Sequence, residues 1–542
     1  MKIISLILLF SLLSTFVRSQ LVVKEFEIEK HYLNFPVEMQ QHRQMMKIVM
    51  AKDTMTYSVI RLATANPDYW VFKDVSPQVG KKVQLVFEDY VKGIDMIYQS
   101  DQIAGEDSLY NEYNRPQFHF TSRRGWNNDP NGLVFLDGEY HLFYQHNPYE
   151  RNWGNMHWGH AVSRDLIFWK ELNDALFPDK LGTMFSGSAV IDKNNTSGWG
   201  EDVLVTAYTS AGTNQTQCIA YSRDNGRTFI KYEGNPVIDS REKWNNSNTR
   251  DPKVFWYEPN DEWVMVLFEA NGHSIYTSKN LKEWKYESHV TGFWECPELF
   301  ELPIDGNKNN TKWVMYGASG TYMIGNFNGK VFLPEGGKYR TTYGNQYAAQ
   351  TYNNVPDGRR IQIGWGTIEQ AGMPFNQMMM FPTELFLRTT NEGIRLFSKP
   401  ISEIEKLHHK KYFWENLTLE VANERLKEIK SDLLHIKFKV EIPNGVWYNL
   451  NYKGKSIVTF DGNHDLMNNY QYVQDHPGEY VFEIEVILDR TSVEVYFDGG
   501  RMVTVAPLMK TKPDEGLMLE AAENELIIHR FEAIELAAIW DN

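Results

Sequence analysis

Three short segments of this chain each place an acidic residue next to a proline and beside Asn, Arg or Trp, and together they could do chemistry. The segments are Trp126-Asn127-Asn128-Asp129-Pro130-Asn131-Gly132, Arg250-Asp251-Pro252 and Trp294-Glu295-Cys296-Pro297-Glu298. Taken singly, an acid next to a proline is most often part of a turn. Three such segments, each with Asn, Arg or Trp alongside, favour a group of carboxylates that acts as acid, base or nucleophile.

The acidic segments lie in a region whose alternating apolar and polar residues are typical of β-strands. Residues 133–136 and 140–144 flank Asp137-Gly138, which is a preferred two-residue hairpin turn. A second predicted hairpin joins 254–257 to 263–267 through a polar turn. The sequence therefore predicts antiparallel sheets around the acids.

A short motif recurs along the same region. Copies begin at Ser163, Ser222 and Ser278, which are 59 and 56 residues apart, and each continues with a basic residue and then Asp or Asn. Each copy follows one short strand pattern and precedes another. A four-strand unit repeated at this interval favours a β-propeller over an ordinary run of hairpins in a sandwich, and residues 116–400 have room for five blades.

Both ends of the chain have strand patterns of their own. Residues 21–114 contain short alternating runs at 82–87 and 94–98, followed by a polar linker. After a helical-looking connector at 401–411, strand patterns continue to the end, where 482–488 is expected to pair with 492–497. The expected fold is all-β: a small extra N-terminal β-domain with its linker over 21–114, a five-bladed β-propeller catalytic domain over 115–400, and a C-terminal β-sandwich domain over 401–542.

Length and charge limit the classes of function. A chain of 542 residues is too long for one compact core, so several domains are expected. The chain has 55 Lys and Arg residues and 70 Asp and Glu residues. The resulting net charge of −15 argues against nucleic acid or an anionic membrane as a partner. A neutral ligand such as a sugar is compatible with this charge. The sequence leaves the oligomeric state open.

The first twenty residues have the pattern of a signal peptide. Lys2 supplies a positive start, residues 3–17 form a mostly apolar core, and Ser19 precedes an expected cleavage near residues 19–20. Beyond them no segment approaches the length of an apolar membrane span. The sequence therefore predicts a secreted or periplasmic protein. The two cysteines, Cys218 and Cys296, are predicted to be free thiols.

The three acidic segments, in this order, resemble the catalytic signature of glycoside hydrolase family 32. Its members are the invertases, inulinases and levanases, which release fructose from sucrose and fructans. Residues 489–495, Asp-Arg-Thr-Ser-Val-Glu-Val, resemble a segment typical of the C-terminal β-sandwich of the same family. The resemblance implies five blades, retaining hydrolysis, and a site without metal or cofactor. His157 and His160 could suggest a metal, but no third ligand stands at a zinc-like spacing.

The resemblance also implies a role for each acid. Asp129 is expected to be the nucleophile, Glu295 the general acid and then the base, and Asp251 a stabiliser that holds two fructose hydroxyls. Crowding by the two aspartates would help to keep Glu295 protonated. Glu298 competes for the acid role, and if the segment is a strand only one of the two glutamates can enter the site.

Seven further residues are predicted to bind the sugar or to support the acids. Four positions resemble those that bind the terminal fructose, Trp365 resembles a wall of the pocket, Asn128 can donate to a sugar hydroxyl, and Arg250 favours ionised carboxylates. The full set is Asn128, Gln145, Trp153, Phe185, Ser186, Arg250 and Trp365. The family has Met or Ile where this chain has Asn127. Because side chains alternate along a strand, the side chain of Asn127 is expected to point away from that of Asp129.

The expected activity is that of a secreted retaining exo-β-fructosidase that removes terminal fructose from levan or inulin, and also cleaves sucrose. A sucrose-specific invertase, an endo-acting levanase or inulinase, and a fructosyltransferase remain alternatives. These activities share the acids and differ at the rim of the site, in loops such as 147–157, 243–249 and 368–378. A sugar-binding protein without catalysis is disfavoured because none of the three acids is missing.

Overall fold

The computed structural model describes residues 21–50, 55–88, 91–441, 446–472, 481–508, 515–522 and 526–540. The predicted signal peptide lies outside these ranges. The described chain is mostly β, with α-helices only at Arg241–Trp244 and Leu419–Leu426. Short 3-10 helices occupy Ser76–Gln78, Ile94–Met96, Glu106–Ser108, Glu258–Asn260, Ser402–Leu407 and Asp498–Gly500. None of the described helices has the length and apolarity that a membrane crossing requires.

Two antiparallel sheets form within residues 22–100. Their strands, in sheet order, are Val22–Glu27, Lys82–Phe87, Gln44–Met50 and Met55–Ile60, and then Tyr69–Asp74, Tyr32–Val37 and Tyr98–Ser100. The strand predicted at 82–87 is confirmed. The one predicted at 94–98 is wrong, because Gly93 adopts a left-handed φ of 88° and a 3-10 turn follows. This turn buries Ile94 and Ile97, three residues apart, against the same hydrophobic cluster.

Strand groups one to three follow in chain order, each with four antiparallel strands. They are Gly125–Leu136, Glu139–Asn147, His157–Ser163 and Trp169–Glu171; Thr183–Asp192, Val203–Ala211, Gln215–Ser222 and Ile230–Lys231; and Thr249–Tyr257, Glu262–Glu269, Gly272–Ser278 and Lys285–Thr291. Phe375–Asn376 adds a parallel strand to the edge of group one. Both predicted hairpins are confirmed, since Phe135 pairs with Tyr140 and Val254 pairs with Met265.

The recurring Ser motif marks the same structural position in these three groups. Ser163, Ser222 and Ser278 each end the third strand of a group, and each hydroxyl bonds the side-chain oxygen of the Asp or Asn two residues later. Such side-chain bonds stabilise a tight turn, which leads here into the fourth strand. The sequence period therefore reflects a repeated connection between sheet strands.

Strand groups four and five share one larger sheet. Group four contains Glu298–Ile304, Asn307–Tyr316, Thr321–Phe327 and Phe332–Pro334, and Tyr339–Arg340 pairs with its third strand. Group five contains Gln346–Thr351, Arg360–Gly366, Thr383–Thr390 and Gly393–Pro400, and Met378–Met379 pairs with its second strand. A parallel bridge between Ile304 and Leu387 joins the two groups.

Two further sheets share a large hydrophobic cluster, and all but one of their strands come from the C-terminal residues. In sheet order the strands are Thr342–Gly344, Met502–Pro507, Ser492–Phe497, Val481–Leu488, Leu434–Glu441, Ile527–Leu536 and His408–Thr418, and then Tyr470–Gln471, Leu466–Met467, Lys455–Asp461, Trp447–Tyr452 and Leu517–Ala521. The predicted pairing of 482–488 with 492–497 is confirmed. The helical connector predicted at 401–411 is only partly correct, because its second half pairs with the last strand of the chain.

A buried network ties the start of strand group one to the C-terminal sheets. The His119 ring bonds Asp489 through Nδ1 at 2.8 Å and Glu494 through Nε2 at 2.7 Å. Asp489 also accepts the backbone N–H of Gln117, and Glu494 that of Phe381. Both acids belong to the segment 489–495, so polar residues of this segment join two parts of the fold.

The charge on His119 predicts a loss of stability at alkaline pH. Burial alone lowers the pKa of His119, but the bonds and charges of Asp489 and Glu494 outweigh it and raise the pKa to about 9. The folded pKa is above the unfolded value of about 6.5. The interaction of charged His119 with Asp489 and Glu494 therefore stabilises the fold fully below pH 6.5, and this contribution is lost as the pH rises through about 9. Taking about 1.4 kcal/mol per pKa unit, the loss is about 3 kcal/mol.

Thermal unfolding midpoints measured at pH 6.5 and pH 9.5 test this prediction. The wild type is expected to lose more stability over that interval than His119→Gln, whose side chain carries no charge at either pH. His464→Gln, at an exposed histidine, is the control and should follow the wild type. A His119→Gln variant that loses as much stability as the wild type would contradict the charged network.

Candidate active site

One cavity of about 160 Å³ brings together the residues that the sequence singled out. All ten predicted catalytic and binding residues line it, together with one unpredicted residue, Tyr347. The ten come from four of the five strand groups and from the loops between strands, so their side chains converge from positions far apart in the chain. The residues are Asn128, Asp129, Gln145, Trp153, Phe185, Ser186, Arg250, Asp251, Glu295 and Trp365.

Irregular backbone in the first strands of groups one to three delivers several of these side chains. The pairing register shifts between Asn127 and Pro130, which encloses Asp129, and between Phe185 and Gly187, which encloses Ser186. A third shift, between Arg250 and Lys253, encloses Asp251. A bulge inserts an extra residue and re-aims its side chain. The first strands therefore turn polar groups into the cavity at the points where regular pairing is interrupted.

Two of the acids also have unusual backbone angles. Asp251 has a φ of 65°, and Glu295 has a φ of 41° in the turn before the first strand of group four. Residues other than glycine occupy this left-handed region at a cost of order 1–3 kcal/mol, and they cluster at functional sites. The surrounding fold therefore holds both acids in place against their local preference.

Asp129 is partly accessible at the cavity wall and accepts two hydrogen bonds. Ser186 Oγ donates to Asp129 Oδ2 at 2.6 Å, and Asn128 Nδ2 donates to Oδ1 at 3.1 Å. Burial raises the pKa of Asp129, while these donors act against the rise by stabilising the carboxylate. Ser186 and Asn128 thus orient the carboxylate and favour its ionised form.

Asp251 is the most buried of the three acids. Its burial, together with the neighbouring carboxylates, raises the pKa of Asp251 to about 7, although the nearby Arg250 guanidinium opposes the rise. The backbone N–H of Cys296 donates to Asp251 Oδ2 at 3.1 Å, and the buried thiol lies 3.6 Å from both Asp129 Oδ2 and Asp251 Oδ2. Asp251 can therefore hold a proton near neutral pH.

Glu295 is held from both sides of its carboxylate. Arg250 donates to Glu295 Oε1 through Nη2 at 2.6 Å and through Nε at 3.0 Å. The Tyr347 hydroxyl donates to Oε2 at 2.7 Å. Sequence reasoning missed Tyr347 because no motif surrounds it, and only the register shift between Tyr347 and Gln350 marks it as an irregular strand position.

Aromatic rings and an amide form the remaining walls. Trp153 contacts Phe185 edge-on at 5.9 Å between ring centroids, and its side chain is 54% exposed at the rim. Trp365 lies edge-on to Trp126 at 6.1 Å. Gln145 donates to the Met184 carbonyl at 2.9 Å, which fixes the orientation of its amide. Flat apolar walls with few oriented polar groups suit a sugar ring.

Asn127 does not line the cavity, but the reason given by strand alternation was wrong. Residues 127 and 129 would share a face of a regular strand. The bulge separates them, and the buried Asn127 amide lies against the backbone carbonyls of Asn376 and Gln377. The departure from the family pattern at this position therefore affects packing behind the cavity.

Glu298, the competing acid, has a structural place of its own. It is buried, forms an ion pair with Lys253 at 2.9 Å and accepts a hydrogen bond from Thr351 at 2.5 Å. Lys253 also donates to the Thr351 carbonyl. These three residues connect the first strands of groups three, four and five, so Glu298 joins strands whereas Glu295 faces the cavity.

The larger cavity, the histidines and the cysteines are weaker candidates for a reactive site. A larger cavity of about 580 Å³, lined by residues such as Trp256, Trp313 and Arg359, contains none of the three motif acids. Across the described ranges no cluster of three His, Cys, Asp or Glu side chains is arranged to hold a metal. His157 and His160 bond the Asn155 carbonyl and His141 respectively, and both cysteines are free and buried, as predicted.

Comparison with known proteins places this geometry in a family. Residues 119–400 match the model of the N-terminal domain of glycosyl hydrolases family 32. A levanase of Bacillus subtilis (strain 168) is 38% identical over 503 residues, covering 82% of this chain and 74% of the relative. An extracellular exo-inulinase of Aspergillus niger is 39% identical over 354 residues, covering 54% of this chain and 65% of the relative.

Solved structures are similar over the same region. The crystal structure of an exo-inulinase from Aspergillus awamori has a TM-score of 0.68 and 28% identity, covering 80% of this chain and 100% of that one. A β-fructofuranosidase from Schwanniomyces occidentalis complexed with fructosyl-erythritol has a TM-score of 0.68 and 26% identity, covering 79% and 99%. Because the family model spans just over half of the chain and the levanase is similar over most of it, this protein is a glycoside hydrolase and belongs to family 32.

Proposed function

We propose that this protein is a retaining exo-β-fructosidase that removes terminal fructose from levan or inulin, and that it also cleaves sucrose. The observation that carries the proposal is the convergence of Asp129, Asp251 and Glu295 on one cavity, in a chain of family 32. Names of relatives support the substrate class, since they include a levanase and exo-inulinases.

The proposed mechanism divides the work among the three acids. Asp129 attacks the anomeric carbon of the fructose, while Glu295 donates a proton to the departing oxygen. Glu295 then takes a proton from water while the water oxygen bonds to the anomeric carbon, and the bond from that carbon to Asp129 breaks to release fructose. Asp251 binds fructose hydroxyls and stabilises the oxocarbenium-like transition state without forming a covalent bond. The bonds from Ser186 and Asn128 support this division, because they orient the Asp129 carboxylate for attack.

The size of the cavity supports exo action. At about 160 Å³ it is smaller than the roughly 300 Å³ at which pockets for drug-sized ligands begin. Such a volume suits one terminal sugar unit better than the interior of a long chain. Trp153 at the rim is then placed to contact the next unit or the leaving group.

The domain plan belongs to the same proposal. The five strand groups of residues 115–400 would be the blades of a five-bladed propeller, the sheets of 401–542 a β-sandwich, and residues 21–114 an accessory β-domain with its linker. The contacts among first strands support a propeller, because the first strand of group one touches those of groups two and five. Export is supported by the extracellular relatives, and residues 1–20 would be the removed signal peptide.

Product analysis tests the proposed function. Purified protein is incubated separately with levan, inulin and sucrose, and the products are resolved over time. Fructose alone, present from the earliest samples of a polymer, is the expected result, since only a terminal unit fits the cavity. Added methanol should yield methyl β-fructoside, because two successive displacements retain the configuration.

Each alternative gives a different product pattern. A ladder of oligosaccharides from the start would mean endo cleavage, activity confined to sucrose would mean an invertase, and longer fructosyl chains at high sucrose would mean transfer. A product of inverted configuration would remove the nucleophile role of Asp129. Protein with Asp129→Asn, treated identically, controls for contaminating activity.

A further inference from the structure

The loop between the second and third strands of group one connects the cavity to the N-terminal sheets. We define residues 148–156 as the rim segment. It carries Trp153, which lines the cavity and contacts Phe185. The N-terminal part of the chain contacts the rim segment on its outer side through three separate sets of interactions, described in turn below.

The first contact is hydrophobic. Tyr149 of the rim segment is 1% exposed and belongs to the hydrophobic cluster of the N-terminal sheets rather than to that of its own strand group. Its ring lies edge-on to Phe35 at 5.9 Å between centroids. A buried tyrosine side chain removes a large apolar area from water, so this residue anchors the segment firmly.

The second contact is a buried ion pair with two arginines. Arg43 Nη2 and Arg61 Nη1 each lie 2.9 Å from Glu150 Oε2, and the Glu150 side chain is fully buried. Removing the partners of a buried charge is strongly destabilising because the charge cannot regain water. Glu150 therefore depends on the N-terminal arginines for compensation.

The third contact joins backbone on both sides of Trp153. The Asn155 amide pairs with both backbone groups of Val59, accepting at 2.6 Å and donating at 2.7 Å, along the free edge of the strand Met55–Ile60. On the other side of Trp153, the backbone N–H of Arg151 donates to the Tyr69 hydroxyl at 3.1 Å. Trp153 thus lies between two residues that the N-terminal part holds.

The opposite side of the rim segment faces a second predicted rim loop, 368–378. Arg151 Nη2 donates to the Gln370 carbonyl at 2.7 Å, and Asn376 Nδ2 donates to the Arg151 carbonyl at 3.2 Å. The rim segment is therefore clamped between the N-terminal sheets and a loop that also borders the site. Movement of the N-terminal sheets would therefore change the position of Trp153 relative to the cavity.

From these contacts we propose that residues 21–114 are a positioning module, which holds the rim segment so that Trp153 completes the substrate-binding wall. This inference rests on the proposed function for the identity of the substrate. It assigns Arg43, Arg61, Tyr69 and Val59 as positioning residues that act through Trp153 without touching the sugar. The module then contributes to substrate affinity through the rim, whether or not it binds polymer itself.

Point variants test this better than deletion of the module, which would also expose Tyr149 and the cluster that it packs against. The double variant Arg43→Met/Arg61→Met removes both charges, and Tyr69→Phe removes only one hydroxyl. For the double variant the KM for sucrose or a fructan trimer is expected to rise about 10-fold while kcat stays within about 3-fold, since a binding wall used equally in ground and transition states affects KM. Tyr69→Phe should change KM in the same direction, by about 2-fold to 3-fold.

The matched control breaks a contact between the same two parts of the chain away from the rim. Asn173 Nδ2 donates to Asp74 Oδ2 at 3.0 Å, and Asn173→Ala removes that bond. A module that only stabilises the fold would make the control resemble the rim variants. Positioning predicts that Asn173→Ala keeps the KM of the wild type.

Hydrogen exchange of residues 148–156, followed by mass spectrometry, measures how firmly the rim segment is held, and it does not depend on catalysis. In the double variant these amides should exchange at least about 10-fold faster, while the peptides of groups two to five keep their protection. Unchanged exchange, or a KM shift no larger than that of Asn173→Ala, would overturn the positioning role. If wild-type protein cleaves no fructosyl substrate, the proposed function fails. The exchange result still decides whether residues 21–114 hold the rim segment.

Discussion

Asp129→Ala is expected to lower kcat on sucrose and on fructan by at least about 10⁴-fold while the protein stays folded, because no other group can form the covalent intermediate. The fold should tolerate the change. Asp129 is partly accessible, and its donors Ser186 and Asn128 can bond water in the space that the carboxylate leaves. The measurement is initial rates together with circular dichroism and the thermal unfolding midpoint.

Chemical rescue separates a nucleophile from a supporting carboxylate. Azide can enter the space left in Asp129→Ala and attack the fructosyl carbon from the same side, so it should restore turnover and yield a fructosyl azide. Asp137→Asn, in the turn of the first hairpin, is the matched control and should retain wild-type rates. Near-normal rates in folded Asp129→Ala, or rescue without an azide product, would remove the nucleophile assignment.

Glu295→Gln should show the second large effect, and its size should depend on the leaving group. On sucrose or fructan, whose departing oxygen needs a proton, kcat is expected to fall about 10³-fold or more; on an aryl fructoside with an activated leaving group the first step should fall less than about 10-fold. Glutamine can still accept from Arg250 and lie beside the Tyr347 hydroxyl, so the geometry of the site is preserved. Pre-steady-state release of the aryl alcohol measures that step.

Asp251 is the main competitor for the acid role, since burial raises the pKa of Asp251 to about 7 and it can hold a proton near neutral pH. The matched variant is Asp251→Asn. A residue that only stabilises the transition state should, when changed, slow natural and activated substrates by the same factor. If leaving-group dependence appears in Asp251→Asn and not in Glu295→Gln, the two residues exchange roles.

Much of the site could be predicted because its residues lie in short motifs. Asp129, Asp251 and Glu295 each stand in a segment whose neighbours are informative, and hairpins such as 133–144 follow from local alternation and a two-residue turn. The helical pattern at 401–411 was less reliable. Its second half becomes an edge strand only because residues more than a hundred positions later pair with it.

The residues that were missed or wrongly explained depend on long-range or irregular structure. Tyr347 carries no motif, and it reaches Glu295 because two strand groups meet at the cavity. Asn127 was placed correctly for the wrong reason, since a bulge rather than alternation separates it from Asp129. Strand alternation assumes an unbroken register, and the first strands break that register where they approach the cavity.

The sequence by itself determined the family and the positions of most strands and predicted the three acids, because these follow from neighbouring residues. The family pattern favoured Glu295 over Glu298, and the tertiary structure supplies a physical reason by burying Glu298 against Lys253. Only the tertiary structure brought Glu150 and Asn155 against the N-terminal sheets. These outcomes depend on which distant groups become neighbours when apolar surfaces pack. A charge can be buried only where the fold supplies a partner, and that partner depends on tertiary packing rather than on spacing along the chain.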